Sequence, residues 1–377
     1  MSKNFNEAYN EFIKKYEMVG STVLICNKDK IIANAVSGMK DLEANIPTLE
    51  NLNTIYRIAS ISKVIVALGV MLLYDKGLVD INEDISKYLG FKVRNPHFED
   101  DIITLKMVMT QTSSLSDSVY DEINCDDDPY VSLEDLLLNK ESKYYNEKTF
   151  LKHKPGTFFE YSNFGCGLLA CVVERITGEY FPEYIINNLL KPLDINSGFR
   201  VEHLMKPEDL ATHYFYNNHK FIRNRDYDSF KKVQSPKYKI GDNFRGVAGG
   251  LYISAYNLSK IMRMLMNDGL YENKRMFKES TIKLMKEVHW SGVPSDPTYR
   301  MKGLQMIIMD NFTEKPLFGH FGNAYGLRSF MLFNEDFGYI FLCNGANFIN
   351  DVEHMTILQE DVIKFLVSYT KEKNLEK

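Results

Sequence analysis

The chain of 377 residues has no cysteine pattern to build on. Its five cysteines (Cys26, Cys125, Cys166, Cys171 and Cys343) are odd in number, scattered, and form no C-x-x-C pair. That argues against a disulfide framework and against zinc. Long apolar runs are also missing. The longest uncharged one, Val64 to Tyr74, has eleven residues, where a spanning helix needs about 20. Residues 2–17 are charged throughout and lack the apolar core of a secretory signal, so the chain reads as soluble, reduced and cytoplasmic, with no membrane partner. Neither charge sign is in excess: 45 Lys and Arg stand against 50 Asp and Glu, a net −5. No basic face for nucleic acid is implied. HExxH, Walker, GxGxxG and GxSxG motifs are absent, which removes the commonest metalloprotease, nucleotide and α/β-hydrolase signatures.

What is present is an ordinary globular balance, 45% hydrophobic and 25% charged. Helical spacing of Phe5, Tyr9, Phe12, Ile13 and Tyr16 opens the chain. Strand-like runs follow at 21–26 and 30–36, and again at 303–309, 316–321, 328–333 and 338–343. An amphipathic helix over about 351–369 closes it. Between these lie helical segments at 62–76, 104–111, 164–177, 182–190, 255–267 and 280–287, and a polar hairpin around Asn217-Asn218-His219. The pattern predicts an α+β fold: one antiparallel sheet built from both termini, flanked by helices, with a mainly helical region inserted. On this reading 1–377 is a single domain. Its sheet subdomain is 1–58 plus 255–377, and its helical subdomain is 59–254. The acidic stretch 118–150 is a candidate lid or a plain loop, and Asp126-Asp127-Asp128 reads as a solvated loop rather than a metal site.

Three segments could carry chemistry. S-x-x-K occurs four times, at Ser37, Ser60, Ser229 and Ser280, but only Ser60-Ile61-Ser62-Lys63 heads a helix apolar around its whole circumference. Residues i and i+3 share a helical face, so the Lys63 amine can reach the Ser60 hydroxyl. Lost hydration at the head of a buried helix disfavours the ammonium and makes the amine a usable base. The plainer alternative is that Ser60 caps the helix and Lys63 reaches water. The second segment is Pro155-Gly156-Thr157-Phe158-Phe159-Glu160-Tyr161-Ser162-Asn163, where Tyr161 and Asn163 could face one cleft or be a core tyrosine and a helix cap. The third is Gly319-His320-Phe321-Gly322-Asn323. Its glycines suit close approach of a ligand or another backbone, or simply permit strand twist.

In order and with their flanks, these segments resemble the serine β-lactamase and penicillin-binding-protein superfamily, in its branch of class C β-lactamases, D-aminopeptidases, D-Ala-D-Ala carboxypeptidases and esterases. The likeness runs over about residues 15–365. It includes Tyr56-Arg57-Ile58-Ala59 before Ser60, Gln111-Thr112-Ser113-Ser114-Leu115, and Gly246-Val247-Ala248-Gly249-Gly250-Leu251-Tyr252. The resemblance implies an acylated nucleophile at Ser60, a base at Lys63 and a proton shuttle at Tyr161. It further implies an amide-binding Asn163, a cleft wall of His320 and Gly322, and an oxyanion hole from the amides of Ser60 and Asn323. No metal or organic cofactor is implied, and the partner is a small-molecule or short-peptide substrate.

The sequence departs from that pattern in three places. His320 stands where most members carry lysine, giving a weaker, pH-dependent field for a substrate carboxylate. Arg328 is the candidate replacement cation, or else a strand arginine on the surface. Gln111 replaces a histidine, and the sequence shows no export signal. The expected activity is therefore cleavage of a D-amino-acid amide or peptide, or of a small ester, through a Ser60 acyl-enzyme, with β-lactams behind them. A non-catalytic scaffold on the same fold and an acyltransferase are the alternatives, and the oligomeric state is open.

Overall fold

The computed structural model describes residues 4–118, 131–225, 238–294, 296–347 and 355–373. Cys125, Asp126 to Asp128, Ser229 and the start of the closing helix expected from 351 lie outside them, as does 119–130 of the candidate lid.

The N-terminal part supplies helix α1 (Phe5–Phe12) and strands β1 (Gly20–Cys26), β2 (Ile31–Asp41) and β3 (Ile46–Pro47). Strand β4 (Ile55–Arg57) then leads into helix α2 (Ser62–Asp75). Helices α3 (Ile85–Leu89), α4 (Leu105–Thr110), α5 (Leu133–Leu137), α6 (Asn163–Thr177) and α7 (Phe181–Ile185) follow. The expected hairpin is β5 (Tyr214–Asn217) with β6 (Lys220–Arg223). Beyond it come β7 (Tyr252–Ser254), helix α8 (Ala255–Met266), the small hairpin β8 (Leu270–Tyr271) and β9 (Lys274–Arg275), and helix α9 (Glu279–Lys286). Strands β10 (Trp290–Ser291), β11 (Met301–Lys302), β12 (Ile307–Met309), β13 (Leu317–Ala324), β14 (Leu327–Phe333) and β15 (Gly338–Cys343) precede helix α10 (Ile357–Glu372).

Nine strands form one antiparallel sheet in the order β10-β11-β12-β13-β14-β15-β1-β2-β3. Both chain ends build it, because β1 pairs with β15. The architecture is α+β, as the pattern predicted. Side chains alternate across this sheet with the period of two that strand geometry demands. Val23, Ile25, Phe330, Leu332 and Phe341 pack outward with Phe5 and Tyr9 of α1 and with Val362 and Leu366 of α10. Leu24, Met331, Phe333, Ile340 and Leu342 pack inward on α2, α6 and α8. The sheet is therefore buried on both faces, which explains why its central strands read as nearly continuous apolar runs.

Helix α2 is buried from Ser62 to Leu73, and Gly77 just beyond it takes φ +71°, the left-handed turn that favours glycine. It packs beside α6, and Gly167 of α6 lets the Phe244 segment approach closely: a Cβ there would stand 1.9 Å from the Phe244 carbonyl oxygen. No helix among the described residues is long and apolar enough to cross a membrane.

Candidate active site

Ser60 sits on a one-turn 3-10 helix, Ala59–Ile61, between β4 and α2. The turn is braced from one side by the segment ahead of β7. Ile58 N donates to Leu251 O at 2.9 Å, and Leu251 N donates to Ser62 Oγ at 3.1 Å. Ala59 is held at φ +48°, a conformation that costs a non-glycine residue about 1–3 kcal/mol and persists only where the surroundings impose it. Strand β13 closes the other side so tightly that a Cβ on Gly322 would lie 2.3 Å from Ile58 O. That close approach is the reason for a glycine there.

Lys63 is fully buried, yet its amine is well supplied with acceptors. Nζ donates to Asn163 Oδ1 at 2.7 Å, to Ser60 Oγ at 3.1 Å and to Ala248 O at 3.3 Å. It also lies 4.7 Å from the centre of the Tyr161 ring. The i, i+3 spacing thus gives direct contact between amine and hydroxyl. Tyr161 reaches the same place from the segment ahead of α6, and its ring is 6.2 Å from that of His320. Ser60, Lys63, Tyr161, Asn163, His320 and Gly322 are therefore gathered around one point.

Asp117 orients this cluster, and the sequence reading did not single it out. Its carboxylate accepts from Ser162 Oγ at 2.9 Å, Asn163 N at 2.7 Å, Asn163 Nδ2 at 2.9 Å and Phe164 N at 2.9 Å. A carboxylate at a helix N-terminus satisfies amides that have no partner within the helix and complements its dipole. Because Nδ2 is turned to Asp117, Oδ1 of Asn163 is turned to Lys63. One N–H of that amide is committed to Asp117. Gln111 has a place here too: it ends α4 at φ +61°, and its Nε2 donates to Ser162 O at 3.5 Å.

A second buried amine was also missed. Lys302 on β11 is fully buried, and its Nζ has no hydrogen-bond partner among the described residues. It faces the rings of Tyr299 at 5.2 Å and Phe159 at 5.7 Å. Burial, and then the charge of Lys63, lower its pKa to about 7. The Tyr299 ring lies 5.3 Å from that of Tyr161, tilted by 46°, and burial together with Tyr161 holds its phenol well above the usual range. No local motif marks Lys302: it stands alone in a two-residue strand.

Two expected residues point elsewhere. Along β13, His320 and Gly322 face the Ser60 turn, so Phe321 and Asn323 face outward. The Asn323 side chain meets α10, where Gln359 Nε2 donates to Asn323 Oδ1 at 2.7 Å. Arg328 is the cross-strand partner of Asn323 and shares that outer face. Its guanidinium therefore does not stand beside His320, which corrects the expectation of a replacement cation there. Only the main chain of Asn323 remains available to the cleft. Strand β12 pairs with β13 from Leu317 to Gly319. Among the described residues β12 does not continue alongside β13 beyond Gly319.

Comparison with known proteins agrees with this fold. The family model described as Beta-lactamase matches residues 5–363. Protein flp of Staphylococcus aureus strain N315 is 29% identical over 187 residues, which are 48% of this chain and 34% of that protein. The chain thus spans about a third of the length of that relative, the 34% just given. Esterase EstB of Burkholderia gladioli is 25% identical over 60% of this chain and 58% of its own. Among solved structures, the octameric penicillin-binding protein homologue from Pyrococcus abyssi superposes with TM-score 0.74 at 23% identity, covering 98% of this chain and 77% of that one. The D-amino acid amidase from Ochrobactrum anthropi does so with TM-score 0.71 at 16% identity, covering 98% of each. By its sequence match and by its β-lactamase/transpeptidase-like fold, the chain belongs to the Beta-lactamase family.

Proposed function

We propose that the chain is a serine hydrolase that cleaves an amide or ester through an acyl-enzyme on Ser60. The observation that carries this is the 3.1 Å contact from Lys63 Nζ to Ser60 Oγ, within the range required of a nucleophile and its base. In the first step Ser60 Oγ bonds to the substrate carbonyl carbon while its proton passes to Lys63, and the amides of Ser60 and Asn323 hold the developing oxyanion. The carbon–leaving-group bond then breaks. The proton goes on to the leaving nitrogen or oxygen by way of Tyr161, whose ring lies 4.7 Å from that amine. Water adds to the ester in the second step by the reverse route and frees Ser60.

For the substrate, a D-amino acid amidase and an esterase stand among the similar proteins. With His320 in place of a lysine, and Arg328 on the outer face, neither of these two residues offers a β-lactam carboxylate a fixed cation. D-aminoacyl amides and short esters therefore rank ahead of β-lactams. Intact-mass measurement with a fluorophosphonate, alongside hydrolysis of D-phenylalanine amide, p-nitrophenyl acetate and a β-lactam, tests the reading. One adduct per chain and turnover of an amide or ester, both lost in Ser60→Ala, are expected. Neither adduct nor turnover with any of these probes overturns it.

A further inference from the structure

We propose that Arg57 is a positioning residue of the Ser60 site: its guanidinium, set against the Tyr325 ring, ties the strand that carries the nucleophile to the β13–β14 turn and so fixes the spacing of the Ser60 and Asn323 amides. This rests on the serine-hydrolase reading and names what holds its oxyanion hole together.

Strand β4, which leads to Ser60, is not part of the nine-stranded sheet. It pairs with β7, Arg57 opposite Tyr252, and through Ile55 it meets Leu210. The two amides of the hole therefore sit on separately built elements, and the gap between them depends on contacts that join those elements. Gly322 against the Ile58 carbonyl is one such contact. The Arg57 guanidinium carbon, 4.5 Å from the centre of the Tyr325 ring, is another. The two contacts flank Asn323 along the chain: Gly322 is its immediate neighbour, and Tyr325 follows two residues later. On the other element Ile58 and Arg57 are the second and third residues ahead of Ser60.

The turn itself shows that the tyrosine is there for its side chain. Ala324 pairs with Leu327, so Tyr325 and Gly326 are the two central residues of the hairpin, at φ +58° and +88°. Positive φ at both is what the I′ turn requires, and Asn-Gly or Asp-Gly is its preferred sequence. Glycine does stand at the second place, where a Cβ would lie 2.0 Å from Tyr214 O. A bulky side chain at the first is strained and persists only where its surroundings hold it. Tyr325 O accepts from Asn224 Nδ2 at 3.2 Å, a bond that any residue at 325 could make. Tyr325 also packs on the cluster of Ile55, Leu204, Leu210 and Tyr252, which a leucine could do as well. The ring face toward Arg57 is what an aromatic residue alone supplies. Arg57 is buried, so water and salt screen that attraction little.

The test uses the full chain as wild type, Arg57→Met, Tyr325→Phe, Tyr325→Leu and the double variant Arg57→Met with Tyr325→Leu. Active sites are counted by fluorophosphonate titration, and kcat and KM for p-nitrophenyl acetate and D-phenylalanine amide are expressed per titrated site. A variant that is merely unstable then loses sites and keeps its rate. The oxyanion exists only in the transition state, so its loss is read in kcat. In Arg57→Met and in Tyr325→Leu, kcat is expected to fall about tenfold or more while KM stays within about twofold of wild type. Tyr325→Phe keeps the ring and should stay within about twofold in both. The double variant should be no slower than the slower single one, because both groups act through one contact. Unchanged kcat per site in Arg57→Met, or an additive double variant, overturns the proposal. Where Arg57→Met does not fold, the two Tyr325 variants decide: equal kcat in Tyr325→Phe and Tyr325→Leu overturns it. If the wild type neither labels nor turns over either substrate, the hydrolase reading falls and amide exchange tests the tie between the two elements. Exchange at residues 323–326 about tenfold faster in Tyr325→Leu than in Tyr325→Phe keeps it, and equal exchange sinks it.

Discussion

Asp117 holds Asn163 by two hydrogen bonds, 2.7 Å from its main-chain amide and 2.9 Å from its side-chain amide. The second of these fixes which way the Asn163 amide faces, and so presents an oxygen, not an N–H, to Lys63 at 2.7 Å. An asparagine at 117 would offer an N–H to groups that are themselves donors. Asp117→Asn is therefore expected to lower kcat for an ester by about 100-fold, the order associated with losing about 2–3 kcal/mol of positioning. KM should change less, since Asp117 does not line the β13 edge. Steady-state kinetics with a circular-dichroism check of folding decides the matter, and an unchanged kcat in folded protein would show that Asn163 keeps its orientation without Asp117.

Gly322 offers a sharper steric test. A Cβ there would meet the Ile58 carbonyl oxygen at 2.3 Å and Ser329 Oγ at 2.4 Å. The serine could rotate, but the Ile58 main chain could move only by shifting the Ser60 turn. Gly322→Ala should cost about 1–3 kcal/mol of stability and slow Ser60 acylation by at least about tenfold through the displaced nucleophile. Thermal denaturation and labelling rate are measured on the same sample. A loss of stability with no loss of labelling would mean that the strand moves instead of the turn.

The long elements and the cluster around Ser60 were legible because each leaves a local trace. Helix α2 shows as an uninterrupted apolar stretch behind Ser60, and β14 and β15 show as apolar runs divided by Asn334-Glu335-Asp336. Strands β10 and β11 escaped detection because two residues cannot display alternation. Lys302, on one of them, escaped for the same reason. Asp117 is remote from Asn163 in sequence and meets it only after α4 and α6 pack. The side of β13 on which Arg328 falls depends on register, which no run of letters around it specifies.

Arg328 itself yields a selectivity prediction. It pairs with Asn323 and Cys343 across the outer face of the sheet, is buried, and donates through Nη1 to Leu327 O at 2.9 Å. Its loss should be felt as stability, about 1–3 kcal/mol for leaving buried polar groups unmatched. Activity on carboxylate-bearing and carboxylate-free esters should keep the same ratio in Arg328→Ala as in wild type. A ratio that falls tenfold against the carboxylate-bearing ester would place the guanidinium back in the cleft.

Lys302 should also be visible in stability alone, without any substrate. Its folded-state pKa is lowered from 10.5 to about 7, so between those limits the unfolded chain binds more protons than the folded one. Stability from this group therefore rises with pH across that window. The destabilising effect is complete below about 7 and gone above about 10.5, the two limits just given. Methionine at 302 has nothing to titrate and fills the same aromatic pocket, so groups remote from position 302 cancel when the two proteins are compared. Near pH 6.5, Lys302→Met should melt at least about 3 °C above wild type. That gap should close progressively toward pH 10. A difference in Tm that stays constant from pH 6 to 10 would show that Lys302 finds a partner for its charge in the folded chain.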